Sequence, residues 1–190
     1  MENNISSLIK TCNNIYDRQL VSGKAGNVSI RIDNYIAITP TLKALNDLKQ
    51  EDIVFVDLDG NILTKNKPSS EVGMHLEIYK KRPDVNAIVH THSPYATGFS
   101  FSTKQLKRLE GFGKINQEYI SFIEYEKPGS ESLATSASNG MENEDVLILK
   151  QHGVICVGKN IKEAESLANF IEESAKTQFI ALMLNSVKDI

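Results

Sequence analysis

The 190-residue sequence has only two cysteines, Cys12 and Cys156, far apart and each among apolar neighbours. That excludes a disulfide framework and a Cys-x-x-Cys redox pair, and leaves two small buried hydrophobes. Proline and glycine are sparse, 5 and 11 residues, and there is no repeat, linker or low-complexity stretch. Charge of one sign is not concentrated anywhere: 21 Lys and Arg intersperse with 24 Asp and Glu for a net charge of -3, so no basic footprint for a nucleic acid exists. No apolar run approaches the ~18 residues needed to span a bilayer, and Met1-Glu2-Asn3-Asn4 lacks the basic start and apolar core of a signal peptide. A cytoplasmic protein with neither nucleic-acid nor membrane partner is expected. What the chain does have is 41% hydrophobic residues, enough for one domain, 1–190, with a substantial core.

The hydrophobic period changes along the chain. Ile5, Leu8, Ile9, Cys12 and Ile15 recur at helical spacing and predict an opening helix that ends before Ser22-Gly23. Val28, Ile30 and Ile32 then alternate with polar residues, Asp33-Asn34 is a turn, and Tyr35 to Ile38 completes a hairpin. A second hairpin is read from Ile53 to Leu58, through Asp59-Gly60-Asn61, into Ile62-Leu63. Pro68-Ser69-Ser70 predicts a helix start, with Glu71 in its first turn and Pro83 as its stop. Ala87-Ile88-Val89 is a buried strand that runs up to His90 and His92, and Ser93-Pro94 supplies a cap and first-turn proline for a short helix. Residues 102–118 have no clear period and read as a functional loop. Ile120 to Tyr125 is strand-like, Ser130 caps a helix reaching about Asn139, and Val146–Leu149 with Val154–Val157 form a last hairpin around Lys150-Gln151-His152-Gly153. Asn160 and Glu163 form a capping box for a closing helix that carries Leu167, Phe170, Ile171, Ala175 and Leu182.

Strand residues two apart point the same way, so His90-Thr91-His92 sets two imidazoles side by side at about the spacing one metal ion requires. Alone, such a pair reads equally well as two surface or core histidines. A third ligand would have to be His75, one helical turn after Glu71, or His152, at a hairpin corner. Three imidazoles with an open position make a catalytic rather than a structural site, and imidazole favours zinc. Glu71 is the nearest acid-base candidate, although a glutamate in a first helical turn ordinarily does no more than complement the helix dipole. Turns at Gly26-Asn27-Val28-Ser29, Thr39-Pro40-Thr41 and Pro68-Ser69-Ser70 offer backbone N–H groups and hydroxyls of the kind that bind phosphate.

Taken in order, Gly26-Asn27-Val28-Ser29, Ile38-Thr39-Pro40-Thr41, Lys67-Pro68-Ser69-Ser70-Glu71, His90-Thr91-His92 and His152-Gly153 resemble the motifs of the class II aldolase/adducin family, over nearly the whole chain. The resemblance implies that His90, His92 and His152 bind one zinc ion or another divalent metal per subunit. Glu71 would both approach that metal and carry the proton, while Gly26, Asn27, Thr41, Ser69 and Ser70 would bind phosphate. It implies an α/β fold with a central, mostly antiparallel sheet covered by helices on both faces. It also implies a homotetramer with active sites at subunit contacts, and a small phosphorylated sugar as substrate. The expected activity is that of a lyase cleaving a ketose 1-phosphate to dihydroxyacetone phosphate and an aldehyde. An epimerase or dehydratase of sugar phosphates, a non-catalytic adducin-like domain and a metal hydrolase are the alternatives. Two departures stand out. Leu42 replaces the glycine usual after Thr-Pro-Thr, and Glu110-Gly111-Phe112-Gly113 has no tyrosine where bacterial members place a proton donor, for which Tyr119 is the available substitute.

Overall fold

A computed structural model describes residues 2–109 and 117–187. Seven strands form one sheet: β1 (Asn27–Ile32), β2 (Tyr35–Ile38), β3 (Val54–Asp57), β4 (Ala87–Thr91), β5 (Phe122–Ile123), β6 (Val146–Leu149) and β7 (Gly153–Gly158). Their order across the sheet is β3-β2-β1-β4-β7-β6-β5, and every neighbouring pair is antiparallel except β5–β6. Among the described residues five α-helices accompany them: α1 (Glu2–Asp17), α2 (Val72–Lys81), α3 (Pro94–Ser100), α4 (Glu131–Gly140) and α5 (Ile161–Ser186). Among the described residues no helix is long and apolar enough to cross a membrane.

Strand alternation divides the core in two. Val28, Ile30, Val89, Val154 and Cys156 pack with α1, α3 and α5, whereas Ile36, Ile38, Ile88, Ile155 and Val157 pack with α2 and α4. A sheet with both faces apolar must be covered on both, which produces the three layers. Cys12 and Cys156 are free and buried, as read from their neighbours.

α1 stops at Asp17, within the Ser22-Gly23 limit read from the sequence, because Gln19 takes a positive φ of 60° and ends the run before Leu20 and Val21 turn into the core. Several other boundaries differ from the sequence reading, each for a physical reason. The expected second hairpin is reduced to β3 and one bridge between Val56 and Ile62, since Asp57 spends its carboxylate on the backbone N–H groups of Asp59 and Asn61 and closes a tight loop there. Only Phe122 and Ile123 of the strand expected over 120–125 pair with the sheet. α2 begins at Val72, so Glu71 occupies the cap position with φ −95° and ψ 13° rather than the first turn. Ser130 does cap α4, accepting from the Leu133 N–H at 3.1 Å. Ser93 does not cap α3. Its hydroxyl pairs with that of Thr91, and the carboxylate of Glu172 in α5 accepts from the N–H groups of both Tyr95 and Ala96 at 2.9 Å.

Candidate metal and catalytic site

β1 and β4 lie side by side at the centre of the sheet with Asn27 opposite His90. β4 pairs on its other edge with β7, so the turn that connects β6 to β7 comes up beside the end of β4. That turn carries Gln151 at a positive φ of 56°, which swings His152 toward β4. Gly153 is what lets the strands approach: a Cβ there would collide with the Thr91 carbonyl and lie 3.1 Å from His90 Cε1 and 3.3 Å from His92 Cδ2. Gly26 acts likewise on the other side, where φ is +79° and a Cβ would lie 2.9 Å from the His90 carbonyl oxygen.

The result is a triangle of imidazoles from His90, His92 and His152, with ring centroids 4.9–5.0 Å apart and one ligand atom from each within 4.8 Å of the others. His92 lies one residue beyond the end of β4, yet its ring still faces that of His90. Glu71 closes the group from the α2 side, with Oε2 3.1 Å from His90 Nε2 and Oε1 3.3 Å from His152 Nε2. Glu71 and His90 are buried, at 5% and 0% exposure, and so is His152.

The electrostatics of this group point to a cation. His90 Nδ1 donates to the Val154 carbonyl at 3.0 Å, which in the neutral ring leaves a lone pair on Nε2, aimed at a carboxylate oxygen that also has only lone pairs. Glu71 Oε1 and His90 Nε2 are buried with no hydrogen-bond partner, and His152 Nε2 faces the same carboxylate. Buried acceptors facing one another without a donor are unfavourable unless a positive charge sits among them. Titration follows the same logic. Burial opposes the Glu71 carboxylate, but His90 and His152 outweigh it and hold its pKa well below the usual range. Burial and the neighbouring imidazoles push His92 down to about 3 and His152 to about 4, keeping their ring lone pairs free. For His90 burial is outweighed by Glu71, and the pKa rises. A divalent metal bound by neutral imidazoles fits this donor set.

The other expected site residues gather around the same end of the sheet. Thr39–Thr41 and Lys67–Ser69 are held together by Thr41 N–H to Lys67 O at 3.1 Å and Ser69 N–H to Thr39 O at 3.0 Å. Ser70 is exposed and Thr41 half-buried, so their polar groups reach solvent, whereas the Ser69 hydroxyl is buried and accepts from the Glu71 N–H at 3.3 Å. Asn27 is more occupied than a phosphate ligand would be: Nδ2 donates to Glu71 Oε2 at 2.8 Å and Oδ1 meets His75 Nε2 at 2.5 Å. His75 therefore belongs to the site without being one of the imidazole triangle, and sequence reasoning had weighed it only as a ligand. Leu42 adopts a left-handed φ of 60° and is 76% exposed, which accounts for a glycine preference at that position. Glu110-Gly111-Phe112-Gly113 lies outside the described residues, and Tyr119 bridges to Lys107.

Residues 6–179 match the model of the class II aldolase and adducin N-terminal domain. An L-fuculose phosphate aldolase of Methanococcus maripaludis is 45% identical over 182 residues, covering 96% of this chain and 98% of its own. One of Methanocaldococcus jannaschii is 43% identical over 176 residues, covering 93% and 96%. Among solved structures, an L-fuculose 1-phosphate aldolase superposes with a TM-score of 0.90 at 28% identity, covering 100% of this chain and 91% of that one.

Proposed function

Because the chain belongs to the class II aldolase and adducin family, we propose that it is a metal-dependent aldolase cleaving a ketose 1-phosphate, of the L-fuculose 1-phosphate type, to dihydroxyacetone phosphate and an aldehyde such as L-lactaldehyde. The observation that carries this reading is the triangle of His90, His92 and His152 imidazoles closed by the buried, unpartnered Glu71 Oε1 and His90 Nε2, which has no use in a domain that serves only assembly.

His90, His92 and His152 would hold the metal, zinc by the preference of imidazole ligands, with Glu71 against it. When bound, the metal supplies Lewis-acid stabilisation of the negative charge that develops as the carbon–carbon bond breaks. Glu71 delivers a proton to the carbon left behind, or removes it in the synthetic direction. Its Oε2 is engaged by Asn27, so Oε1, which has no donor, is the atom that holds the proton. The exposed Ser70 and half-buried Thr41, with Gly26 and Ser69 behind them, would receive the phosphate through hydroxyl and N–H groups, while the Asn27 side chain stays committed to Glu71 and His75. No lysine is needed to form a Schiff base.

A homotetramer with active sites at subunit contacts accompanies this proposal. Its support is the outer side of α5, where Phe179, Ile180, Leu182, Met183 and Leu184 are 40–69% exposed, a contiguous apolar stretch unusual on a lone subunit.

The test is dihydroxyacetone phosphate release from a panel of phosphorylated ketoses by metal-loaded and chelator-treated protein. Release that depends on metal is expected. Conversion without that product would instead assign an epimerase or dehydratase, and no conversion of any sugar phosphate would defeat the proposal.

A further inference from the structure

Beneath the triangle of imidazoles, α2 and β1 interlock through polar side chains. Glu71, His75 and Tyr79 recur every four residues and form one stripe along α2, while Asn27 and Ser29 alternate onto the same face of β1. They are joined end to end. Tyr79 Oη lies 2.8 Å from Ser29 Oγ, Ser29 Oγ lies 2.7 Å from His75 Nδ1, His75 Nε2 lies 2.5 Å from Asn27 Oδ1, and Asn27 Nδ2 lies 2.8 Å from Glu71 Oε2. His75 and Ser29 are fully buried and Tyr79 is 1% exposed, so water cannot replace a misdirected member.

The direction of every bond follows from the carboxylate at one end. Glu71 has only lone pairs to offer, so Asn27 must present its NH2 group, which turns Asn27 Oδ1 toward His75. His75 Nε2 must then carry the hydrogen, its Nδ1 must accept from the Ser29 hydroxyl, and Ser29 in turn accepts from the Tyr79 hydroxyl. Turning the Asn27 amide over would set Oδ1 against Glu71 and NH2 against an N–H, two losses at once. Burial, with the nearby His90, pushes the His75 pKa down to about 3, which keeps the ring neutral and the pattern intact.

We propose that His75 is a positioning residue for the reaction: acting through Asn27, it ties down Glu71 Oε2 and so reserves Oε1 for the proton. This rests on the aldolase reading above, and it assigns a task to a histidine that takes no part in the metal triangle.

Two variants separate positioning from mere packing. In His75→Gln the side-chain amide reaches about as far as Nε2 and can still donate to Asn27. In His75→Asn it reaches only as far as Nδ1 and cannot. With metal loaded to the wild-type level, His75→Asn should lower both kcat for cleavage and solvent-deuterium exchange into dihydroxyacetone phosphate by about 10- to 100-fold, with little change in KM. His75→Gln should recover most of that loss, whichever variant has the higher Tm. Equal losses in the two that track their stability would overturn the proposal. Should neither variant fold, nitrogen-15 spectra of histidine in the wild-type protein decide: a neutral Nε2–H ring with a hydrogen-bonded, unprotonated Nδ1 is expected, and an Nδ1–H or charged His75 at pH 7 overturns it. A wild type that neither releases nor exchanges dihydroxyacetone phosphate would instead defeat the aldolase reading, while the spectra still report on the hydrogen-bond chain.

Discussion

A single methyl group at Gly153 should damage the metal site more than its size suggests. Ordinary carbon–carbon contacts lie at about 3.5–4.0 Å. The added Cβ would sit 3.1 Å from His90 Cε1 and 3.3 Å from His92 Cδ2, and closer still to the Thr91 carbonyl oxygen. The rings can yield a few tenths of an ångström, but the carbonyl belongs to β4, which is paired on both edges, to β1 and β7. Gly153→Ala should therefore pry β7 from β4 at the corner that presents His152. Overpacking of this kind costs about 1–3 kcal/mol, and the displaced ligand rings should weaken metal binding by about 10- to 100-fold. Urea unfolding measures the first and titration against a competing chelator the second. Gly98 is the control, because its added Cβ meets nothing within 4 Å and it lies inside α3. Gly98→Ala should stabilise by roughly 0.5–1 kcal/mol and leave metal affinity alone. If Gly153→Ala keeps wild-type stability and metal affinity, the account of how the histidines are brought together is wrong.

Glu71→Gln, with metal supplied in excess, should lower cleavage and proton exchange by about 100-fold or more while the fold persists; wild-type exchange would remove Glu71 from the chemistry. His92→Ala and His152→Ala should each lose metal and activity together with the subunit still folded, since the three layers are packed without them, and full occupancy in both would refute the ligand assignment. Ser70→Ala should raise KM about 10-fold for a phosphorylated ketose and hardly at all for its unphosphorylated counterpart; equal effects would count against a phosphate contact. His75 gives a pH signature in metal-free protein. Its folded pKa of about 3 lies below the unfolded 6.5, so its contribution is present above pH 6.5 and is lost as pH falls. Between pH 7 and 5 that loss amounts to about 2 kcal/mol, so urea unfolding of His75→Gln should be flatter with pH by that amount, and parallel pH profiles for the two proteins would contradict it.

The helices and the central strands were legible because their apolar residues keep period. α5 shows Leu167, Phe170, Ile171 and Ala175, and β6 and β7 are continuous buried runs either side of His152. The order of strands was not, because nothing in local alternation says that β4 inserts between β1 and β7. Long-range pairing is decided by which faces two clusters of side chains can share. The second hairpin was overread because Ile62 and Leu63 look strand-like, yet at 49% and 55% exposure they gain little by pairing. At the site, the pairing of His90 with His92 could be read from spacing, whereas the grouping of His152 and Glu71 with them came from the family motifs. The linkage of His75 could not, since it depends on Asn27 and Ser29 coming from a distant strand. A signal was nonetheless present: Glu71, His75 and Tyr79 at four-residue intervals form a polar stripe on a helix that otherwise buries Met74, Leu76 and Ile78.

The place of β7 also bears on the order in which the molecule can be made. His90 and His92 emerge from synthesis early, but α3, β5, α4 and β6 all intervene before His152. β6 precedes β7 in sequence and yet reaches β4 only across it. Until β7 arrives, β4 has an open edge and the half-site of two imidazoles has no partner. Two imidazoles alone hold a metal weakly, and in a loose chain recruiting His152 would add about 4 kcal/mol of loop-closure entropy, so the metal should be captured last, by a scaffold already closed. Refolding rates should then be indifferent to added zinc, and a ribosome-bound chain truncated before Gly153 should leave an exposed strand edge open to a second copy.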